Sequence, residues 1–159
     1  MTFDERGNLQ PYQVIETSFE IFEHTFVNNF PESSTRTDLL VNFKDLCASL
    51  RHSLSNGFVV WIDGSFVTQK LNPNDIDLVF FINSTDYQPN EESLRKLINR
   101  EFCRTQKLDC YFVQVYPSNH PNYLIETDSD IKEWLSLFTR TRIHRNGKKY
   151  PKGVVQLSF

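Results

Sequence analysis

Two short apolar runs joined by a polar loop constrain the fold of this chain more than any other feature. The first run, Phe58–Ile62, leads into Asp63–Ser65, and the second run, Leu78–Ile82, begins directly after Asp77. Both runs are rich in β-branched and aromatic residues and are too short for helices. The sequence therefore predicts a strand, a tight turn, a loop and a second strand. The relative direction of the two strands stays open.

Polar and charged residues suited to binding a metal ion and phosphate lie at the two ends of the connecting loop. Asp75 and Asp77 are two positions apart, so on an extended strand they point to the same side. Neighbouring carboxylates repel each other unless a cation lies between them, and Mg²⁺ prefers carboxylate oxygen while leaving positions open for phosphate. Gly64 permits a tight turn with close backbone approach, and Ser65 adds a hydroxyl and an N–H group. The pattern predicts a metal site facing a phosphate site.

These residues resemble the signature of the nucleotidyltransferase superfamily, the fold shared with DNA polymerase beta. That signature is Gly-Ser, a loop, and then Asp-x-Asp. Here Gly64-Ser65 is followed by nine residues and then by Asp75-Ile76-Asp77. The family also uses a third carboxylate on a later strand, and Asp109, which opens the apolar run to Val115, is the candidate. Asp63 lies outside the family motif and is not among the predicted ligands.

The motif GSFVTxKxxPxDIDL also resembles a group of small, uncharacterised bacterial nucleotidyltransferase-like proteins. The likeness extends from Gly7, Leu9 and Pro11 to the Lys-Gly-Val run that begins at Lys152. One position departs from the wider family, where many members carry Arg in the loop after Gly-Ser. Here that loop holds Lys70, which is interpreted either as a substitute phosphate contact or as a solvated lysine.

The resemblance implies a minimal nucleotidyltransferase fold of the α/β (α+β) class, with a small mixed sheet and helices packed on it, in one domain over residues 1–159. It also implies transfer of a nucleoside monophosphate from an NTP, with ATP favoured, to a hydroxyl. Asp75, Asp77 and Asp109 would hold two Mg²⁺ ions. Gly64, Ser65 and Lys70 would bind the phosphates.

The acceptor and partners follow from the same resemblance. Small relatives resemble antitoxins that transfer AMP to a partner toxin's tyrosine, and others belong to phage defence. A protein or RNA acceptor is expected, together with a homodimer or a hetero-complex that completes the site. Two other classes stay open: a catalytically inactive binding or antitoxin module, and an RNA-binding module.

A basic stretch near the end of the chain bears on the RNA alternative. Residues 140–152 contain six Lys or Arg and no acid, and Asn146-Gly147 within them is a hairpin signal. The stretch is interpreted as a solvated hairpin or as an anion-binding strip for triphosphate or RNA. The predicted C-terminal hairpin and strand cover residues 140–159.

Composition bounds the setting. The net charge of −3 gives no overall basic character, and the three cysteines, an odd number, have no metal-ligand spacing. No signal peptide or membrane-length apolar run is present. We therefore expect reduced buried thiols, a cytoplasmic location and no membrane partner.

Periodicity and capping signals predict the remaining elements. Helices are predicted at 18–29, 35–54 and 91–104, with a short one over Ile131–Phe138. Strands are predicted at 109–116 and 154–157, a turn at 4–7 and a loop at 84–89. Capping boxes are expected at Thr17–Glu20 and Thr127–Asp130, and Asn90 is expected to cap the third helix.

Overall fold

The computed structural model describes residues 1–159 and contains seven strands and five α-helices. The strands are β1 Thr2–Phe3, β2 Leu9–Gln10, β3 Val14–Glu16, β4 Phe58–Asp63, β5 Ile76–Asn83, β6 Leu108–Val115 and β7 Val154–Ser158. The helices are α1 Phe19–Glu23, α2 Arg36–Ser53, α3 Ser84–Leu97, α4 Arg100–Gln106 and α5 Asp128–Phe138. A π-helical turn extends α1 through His24–Asn28, another, Tyr123–Thr127, precedes α5, and Gly64–Val67 forms a 3₁₀ turn.

The centre of the fold is the antiparallel pair formed by β4 and β5, which confirms the predicted strand, loop and strand. The five-stranded sheet has the order β3-β7-β4-β5-β6. β6 runs parallel to β5, β7 runs antiparallel to β4, and β3 runs parallel to β7. β1 and β2 pair separately as a two-stranded sheet. The chain is therefore an α+β protein with a mixed sheet, as the sequence predicts.

The two faces of the large sheet carry different cores. One face packs Ile62, Leu78 and Cys110 into the main core, together with aromatic side chains from α1 and α2. The other face, which carries Trp61 and Val79, packs a smaller apolar cluster against Phe138 of α5. Since side chains alternate along a strand, residues next to Ile62 and Leu78 in sequence face the α5 side. The predicted acids fall on this second face.

The first two predicted helices are confirmed, with one change at a cap. α2 begins and ends within a residue of the predicted 35–54, and α1 with its π-helical turn covers 19–28. The capping box expected from Thr17 is wrong by one position, because the Ser18 side chain accepts the hydrogen bond from Ile21 N at 3.3 Å. The second expected capping box is also wrong. Thr127 Oγ1 accepts from Tyr116 N and donates to the carbonyl of Gln114, so it joins β6 to α5.

The predicted loop at 84–89 is wrong, because α3 already begins at Ser84 and runs through Pro89. A tertiary contact explains the early start. Asp86 Oδ2 accepts hydrogen bonds from Ser55 N at 3.1 Å and Asn56 N at 2.8 Å, which ties the first turn of α3 to the end of α2. Local propensity predicts a loop here, and this buried carboxylate overrides it.

The predicted helix at 91–104 is divided in two, and Asn90 does not cap it. Asn90 lies inside α3, where its side-chain amide donates to the carbonyl of Asp86. α3 ends at Leu97, and Asn99 caps α4 by accepting a 3.0 Å hydrogen bond from Phe102 N. The chain therefore turns between the two helices and brings the cations of α4 to the start of β6.

The C-terminal hairpin and strand agree with the sequence. Thr141 N donates to the carbonyl of Tyr150 at 2.8 Å, Arg140 and Pro151 form a bridge, and the turn lies at Asn146-Gly147. β7 follows as an interior strand between β3 and β4. β3 was not predicted, because three residues are too few to show a period. None of the helices is long and apolar enough to cross a membrane.

Candidate functional site

Three aspartates form a row across neighbouring strands at one end of the sheet. Asp63 of β4 is the register partner of Asp77 in β5, and Asp77 is the register partner of Asp109 in β6. Directly paired residues on adjacent strands share a face, so all three lie on the α5 side. Asp75 precedes β5, two residues before Asp77. The fold therefore brings the three predicted metal ligands, which span 35 sequence positions (75 to 109), to one sheet end.

Electrostatics at this end favour a cation. Burial is the main cause of the raised pKa of Asp77, and the Asp75 and Asp109 carboxylates raise it further. Lys152 and Arg142 act in the opposite direction. A half-buried carboxylate flanked by two others binds either a proton or a cation more readily than an isolated one.

Gly64 brings the backbone of the turn against Asp77. Its φ is +78°, a conformation that L side chains rarely adopt, and a Cβ at this position would lie 1.7 Å from Asp77 Oδ2. A glycine is therefore required both by the turn and by the closeness of the carboxylate. Ser65 follows in the 3₁₀ turn and is half-buried.

Five of the predicted site residues line one polar cleft of about 310 Å³, which has no hydrophobic residue in its wall. They are Gly64, Ser65, Lys70, Asp75 and Asp77. The remaining lining residues are Asn8, Thr68, Asn74, Thr141, Arg142 and Lys152. The structure therefore places the predicted phosphate-binding turn opposite the predicted Asp-x-Asp pair, whereas Asp109 lies outside this cleft.

A second cleft, of about 240 Å³, adjoins the polar cleft and contains aromatic rings. Its wall includes Asp77, Asp109, Tyr111 and Trp134. Tyr111 is 42% exposed and packs against Trp134 with ring centroids 4.7 Å apart. Five residues line both clefts, which are therefore parts of one groove: Gly64, Asp77, Thr141, Arg142 and Lys152.

A larger cleft, of about 930 Å³, adjoins the other two at the acids and is bounded by α4 and the starts of β5 and β6. Asp75 and Asp109 line it together with the cations Arg100, Arg104 and Lys107. Each predicted metal ligand therefore borders two of the three clefts. Asp75 borders the polar cleft and this larger one, and Asp77 borders the polar cleft and the cleft with aromatic rings. Asp109 borders the cleft with aromatic rings and this larger one.

Arg36 is a positioning residue that the sequence analysis missed. Its guanidinium is fully buried and donates to four backbone carbonyls, those of Phe26 and Phe66 at 2.6 Å, Thr68 at 2.8 Å and Lys70 at 2.7 Å. Burial lowers its pKa to about 10. Three of these carbonyls belong to the loop after Gly64-Ser65, so Arg36 fixes the shape of that loop. Its position, in register with the apolar stripe of α2, is the signal that could have revealed its burial.

A buried ion pair was also missed. Lys152 Nζ donates to Asp63 Oδ2 at 2.7 Å, and both side chains are at most 9% exposed. Asp63 Oδ1 has no partner, and burial raises the pKa of Asp63 to about 6. Asp63 thus lies in the acidic row but faces a lysine, in agreement with its exclusion from the predicted ligands. The Lys-Gly-Val run contains Lys152 and was the available signal.

The side chains at the site offer the oxygen donors that Mg²⁺ prefers, and the carboxylates next to Asp77 leave negative charge to be neutralised. No group of three or more His, Cys, Asp or Glu side chains is already arranged as a metal site. The donor chemistry fits Mg²⁺, and binding would require these carboxylates to draw together. Asp77 and Asp109 are register partners in adjacent strands, which keeps these two carboxylates on one face of the sheet.

Comparison with known proteins gives a family without an assigned activity. No curated protein and no solved structure matches the chain. A family model described as "Family of unknown function (DUF6932)" matches residues 1–158, nearly the entire sequence. The chain therefore belongs to the DUF6932 family.

Proposed function

We propose that this chain is a Mg²⁺-dependent nucleotidyltransferase that moves a nucleoside monophosphate from an NTP, with ATP favoured, to a hydroxyl of a protein or RNA. One observation carries the proposal. Asp75, Asp77 and Asp109 meet at one end of two neighbouring strands, where the Gly64 turn lies against Asp77. This arrangement agrees with the resemblance of the Gly-Ser and Asp-x-Asp pattern to the nucleotidyltransferase superfamily.

The polar cleft suits a triphosphate. It contains the Gly64-Ser65 turn and three cationic side chains, those of Lys70, Arg142 and Lys152. Lys152 is paired with Asp63, so Lys70 and Arg142, both exposed, are the cations free to contact phosphate oxygens. Arg36 holds the loop that carries Lys70 in place through its backbone carbonyls. Phosphate binding would thus depend on a loop fixed from the interior.

The second cleft, which contains Tyr111 and Trp134 and is here called the aromatic cleft, suits the base and sugar of the nucleotide. It continues the polar cleft, and among the three clefts only this one has aromatic side chains in its wall. The exposed face of Tyr111 offers a stacking surface, supported from behind by Trp134. Stacking of this kind is tolerant of the base, so base choice would rest on polar contacts.

The reaction requires a metal-binding centre and an acceptor hydroxyl beside Asp109. Bound Mg²⁺ would neutralise the triphosphate and lower the pKa of the acceptor hydroxyl. Asp75 and Asp77 would hold the ion at the triphosphate. Asp109 would help to hold the second ion, on the acceptor side. The acceptor oxygen forms a bond to the α-phosphorus, and the bond from that phosphorus to the β-phosphate bridging oxygen breaks. Pyrophosphate leaves with the electron pair, and the hydroxyl proton passes to solvent.

The test is transfer of label from α-³²P-labelled ATP, GTP, CTP and UTP, with Mg²⁺, to proteins and RNA of a lysate. Wild type is compared with Asp77→Asn and with Asp45→Asn, which removes one exposed carboxylate from α2. Label transferred by wild type and Asp45→Asn but not by Asp77→Asn supports the proposal and identifies the acceptor. Transfer by Asp77→Asn at the wild-type rate overturns it.

A second function, nucleotide binding without transfer, is favoured by one observation. Asp109 lies outside the polar cleft that Asp75 and Asp77 line, so a nucleotide in that cleft contacts only two of the three carboxylates. In that case ATP binds with Mg²⁺ and needs Asp77, yet no label moves to any acceptor under any condition tested. Equilibrium binding of a fluorescent ATP analogue to the same three proteins separates this function from catalysis.

A further inference from the structure

We propose that the large cleft beside α4, here called the basic cleft, binds the phosphate backbone of a single-stranded RNA whose hydroxyl is the acceptor. The inference rests on the proposed nucleotidyl transfer and assigns its acceptor class. The basic cleft is lined by Asn74, Asp75, Arg100, Glu101, Cys103, Arg104, Lys107, Leu108 and Asp109. It adjoins the groove assigned to the nucleotide at Asp75 and Asp109.

Position is the first argument. Asp75 and Asp109 form one end of the basic cleft, and both border the nucleotide groove as well. The basic cleft therefore adjoins the nucleotide groove at Asn74, Asp75 and Asp109, so a molecule in it would meet a bound nucleotide at the acids. At about 930 Å³, the basic cleft is large enough for several nucleotides of a strand or a peptide segment.

The cations of the basic cleft favour an anionic occupant. Its wall also carries three acids: Glu101, and the proposed metal ligands Asp75 and Asp109, whose charge a bound Mg²⁺ would offset. Arg100, Arg104 and Lys107 are exposed, and none of them forms an ion pair. In contrast, Arg95 and Lys96 of the preceding helix pair with Glu91 and Glu92 at 2.8 and 2.6 Å. Unpaired cations in a cleft, next to a helix whose cations are neutralised, are suited to bind an anionic ligand.

Spacing agrees with a chain of phosphates. Arg100 and Arg104 are one turn apart on the same face of α4, about 6 Å along its axis, and Lys107 follows directly after the helix in a left-handed conformation. A row of cations with gaps of this size can follow successive phosphates of an extended strand. A single free phosphate would use only one or two of them.

The wall offers little to an apolar peptide. Only two hydrophobic residues line the basic cleft, and of these Leu108 is 1% exposed and Cys103 is half-buried. Protein recognition relies on buried apolar and aromatic anchors, which this wall lacks. RNA is therefore favoured over a protein acceptor.

The test compares wild type, Arg100→Gln/Arg104→Gln and the matched control Arg95→Gln/Lys96→Gln, which removes two cations from the neighbouring helix. Binding of a fluorescent single-stranded RNA with a free 3′-hydroxyl is measured against salt, and binding of a fluorescent ATP analogue is measured in parallel. The first variant is expected to bind RNA at least about tenfold more weakly and to reduce the salt slope by about 1.4, because each phosphate contact contributes about 0.7. ATP binding is expected to be unchanged in both variants.

The outcomes distinguish the inference from the function on which it rests. Equal RNA binding by the two variants, or label transferred only to protein, overturns the RNA acceptor while leaving nucleotidyl transfer intact. Loss of RNA binding in the Arg100/Arg104 variant, with no ATP binding or transfer by wild type, overturns the proposed function and keeps the basic cleft as an RNA site. Label on RNA that the Arg100/Arg104 variant reduces at least tenfold supports both.

Discussion

Lys152 Nζ lies 2.7 Å from Asp63 Oδ2, in a buried pair that joins residues 89 positions apart. Asp63 ends β4 directly before the Gly64 turn, and Lys152 ends the C-terminal hairpin directly before Gly153 and β7. The pair therefore fixes the hairpin over the acidic end of the sheet. The charge of Lys152 also lies near Asp77 and lowers its pKa, whereas burial raises it.

The buried Asp63 predicts a pH-dependent stability. Its pKa is raised from 3.8 to about 6, chiefly by burial, so between these values the folded protein binds more protons than the unfolded chain. Stability from this group is fully present below about pH 4 and is lost as the pH rises through about 6. The loss should reach about 3 kcal/mol in the free energy of unfolding. Urea denaturation across this range measures it.

The Asp63→Asn variant is the control for this dependence of the free energy of unfolding on pH, because it removes the titrating group. Its free energy of unfolding should change less between about pH 3 and pH 7 than that of wild type, by about the same 3 kcal/mol. If both proteins show equal slopes, Asp63 is not the source.

Gly64 can be tested against a glycine of similar conformation. Gly64→Ala places a methyl group against Asp77 Oδ2, whereas Gly147, at φ +75°, has nothing within 4 Å of the added Cβ. Both variants carry the backbone cost of about 1–2 kcal/mol. Only Gly64→Ala should displace Asp77 and reduce label transfer, by about 100-fold or more. Equal transfer by the two variants would contradict the close approach at Gly64.

Arg36→Lys should loosen the loop that carries Lys70. Lysine keeps the charge, but it cannot donate to four carbonyls at once, so several buried acceptors lose their partner. The free energy of unfolding should fall by about 3 kcal/mol or more. Arg51→Lys, at an exposed position of the same helix, should change it by less than about 0.5 kcal/mol. Denaturant titration of both proteins decides, and equal effects would contradict the role of Arg36.

The acids predict a thermal shift that needs both ATP and Mg²⁺. At ATP concentrations about 100-fold above Kd, binding should stabilise the folded protein by about 2.7 kcal/mol and raise Tm by about 5 °C or more. Asp77→Asn should abolish the shift, and Asp45→Asn should keep it. Since the pKa of Asp77 is raised, protons compete with the cation, and the wild-type shift should shrink as the pH is lowered. A shift of equal size in EDTA would contradict metal dependence.

Local patterns explain which parts of the fold could be predicted. The β4–β5 unit was recognised because its two short apolar runs are rich in β-branched and aromatic residues, and α2 because its apolar residues recur at helical spacing. β3 has only three residues and depends on pairing with β7, which follows it by about 140 positions. The start of α3 was missed because it depends on Asp86 binding backbone amides that follow α2. Both errors come from contacts that no local window contains.

The candidate site also has one part that local sequence patterns predict and another part that depends on distant contacts. Asp75, Asp77 and the Gly64-Ser65 turn are close in sequence, so their grouping in one cleft followed from the predicted strand and loop. The family resemblance identified Asp109 as the third carboxylate, but its place beside Asp77 depends on the parallel pairing of β6 with β5, which was not predicted. The roles of Arg36 and Lys152 depend on their burial, whereas a charged residue judged from the sequence alone is expected to be exposed.

β7 has a consequence for how the protein is made. It lies between β3 and β4 in the sheet, yet its residues are synthesised after those of every other strand. A nascent chain that has not released residues 154–158 has two unpaired strand edges, and Asp63 lacks its lysine. Unpaired edges promote association between chains. This fold is therefore exposed to aggregation until residues 154–158 have left the ribosome, and a chaperone bound near the ribosomal exit would protect it most during that time.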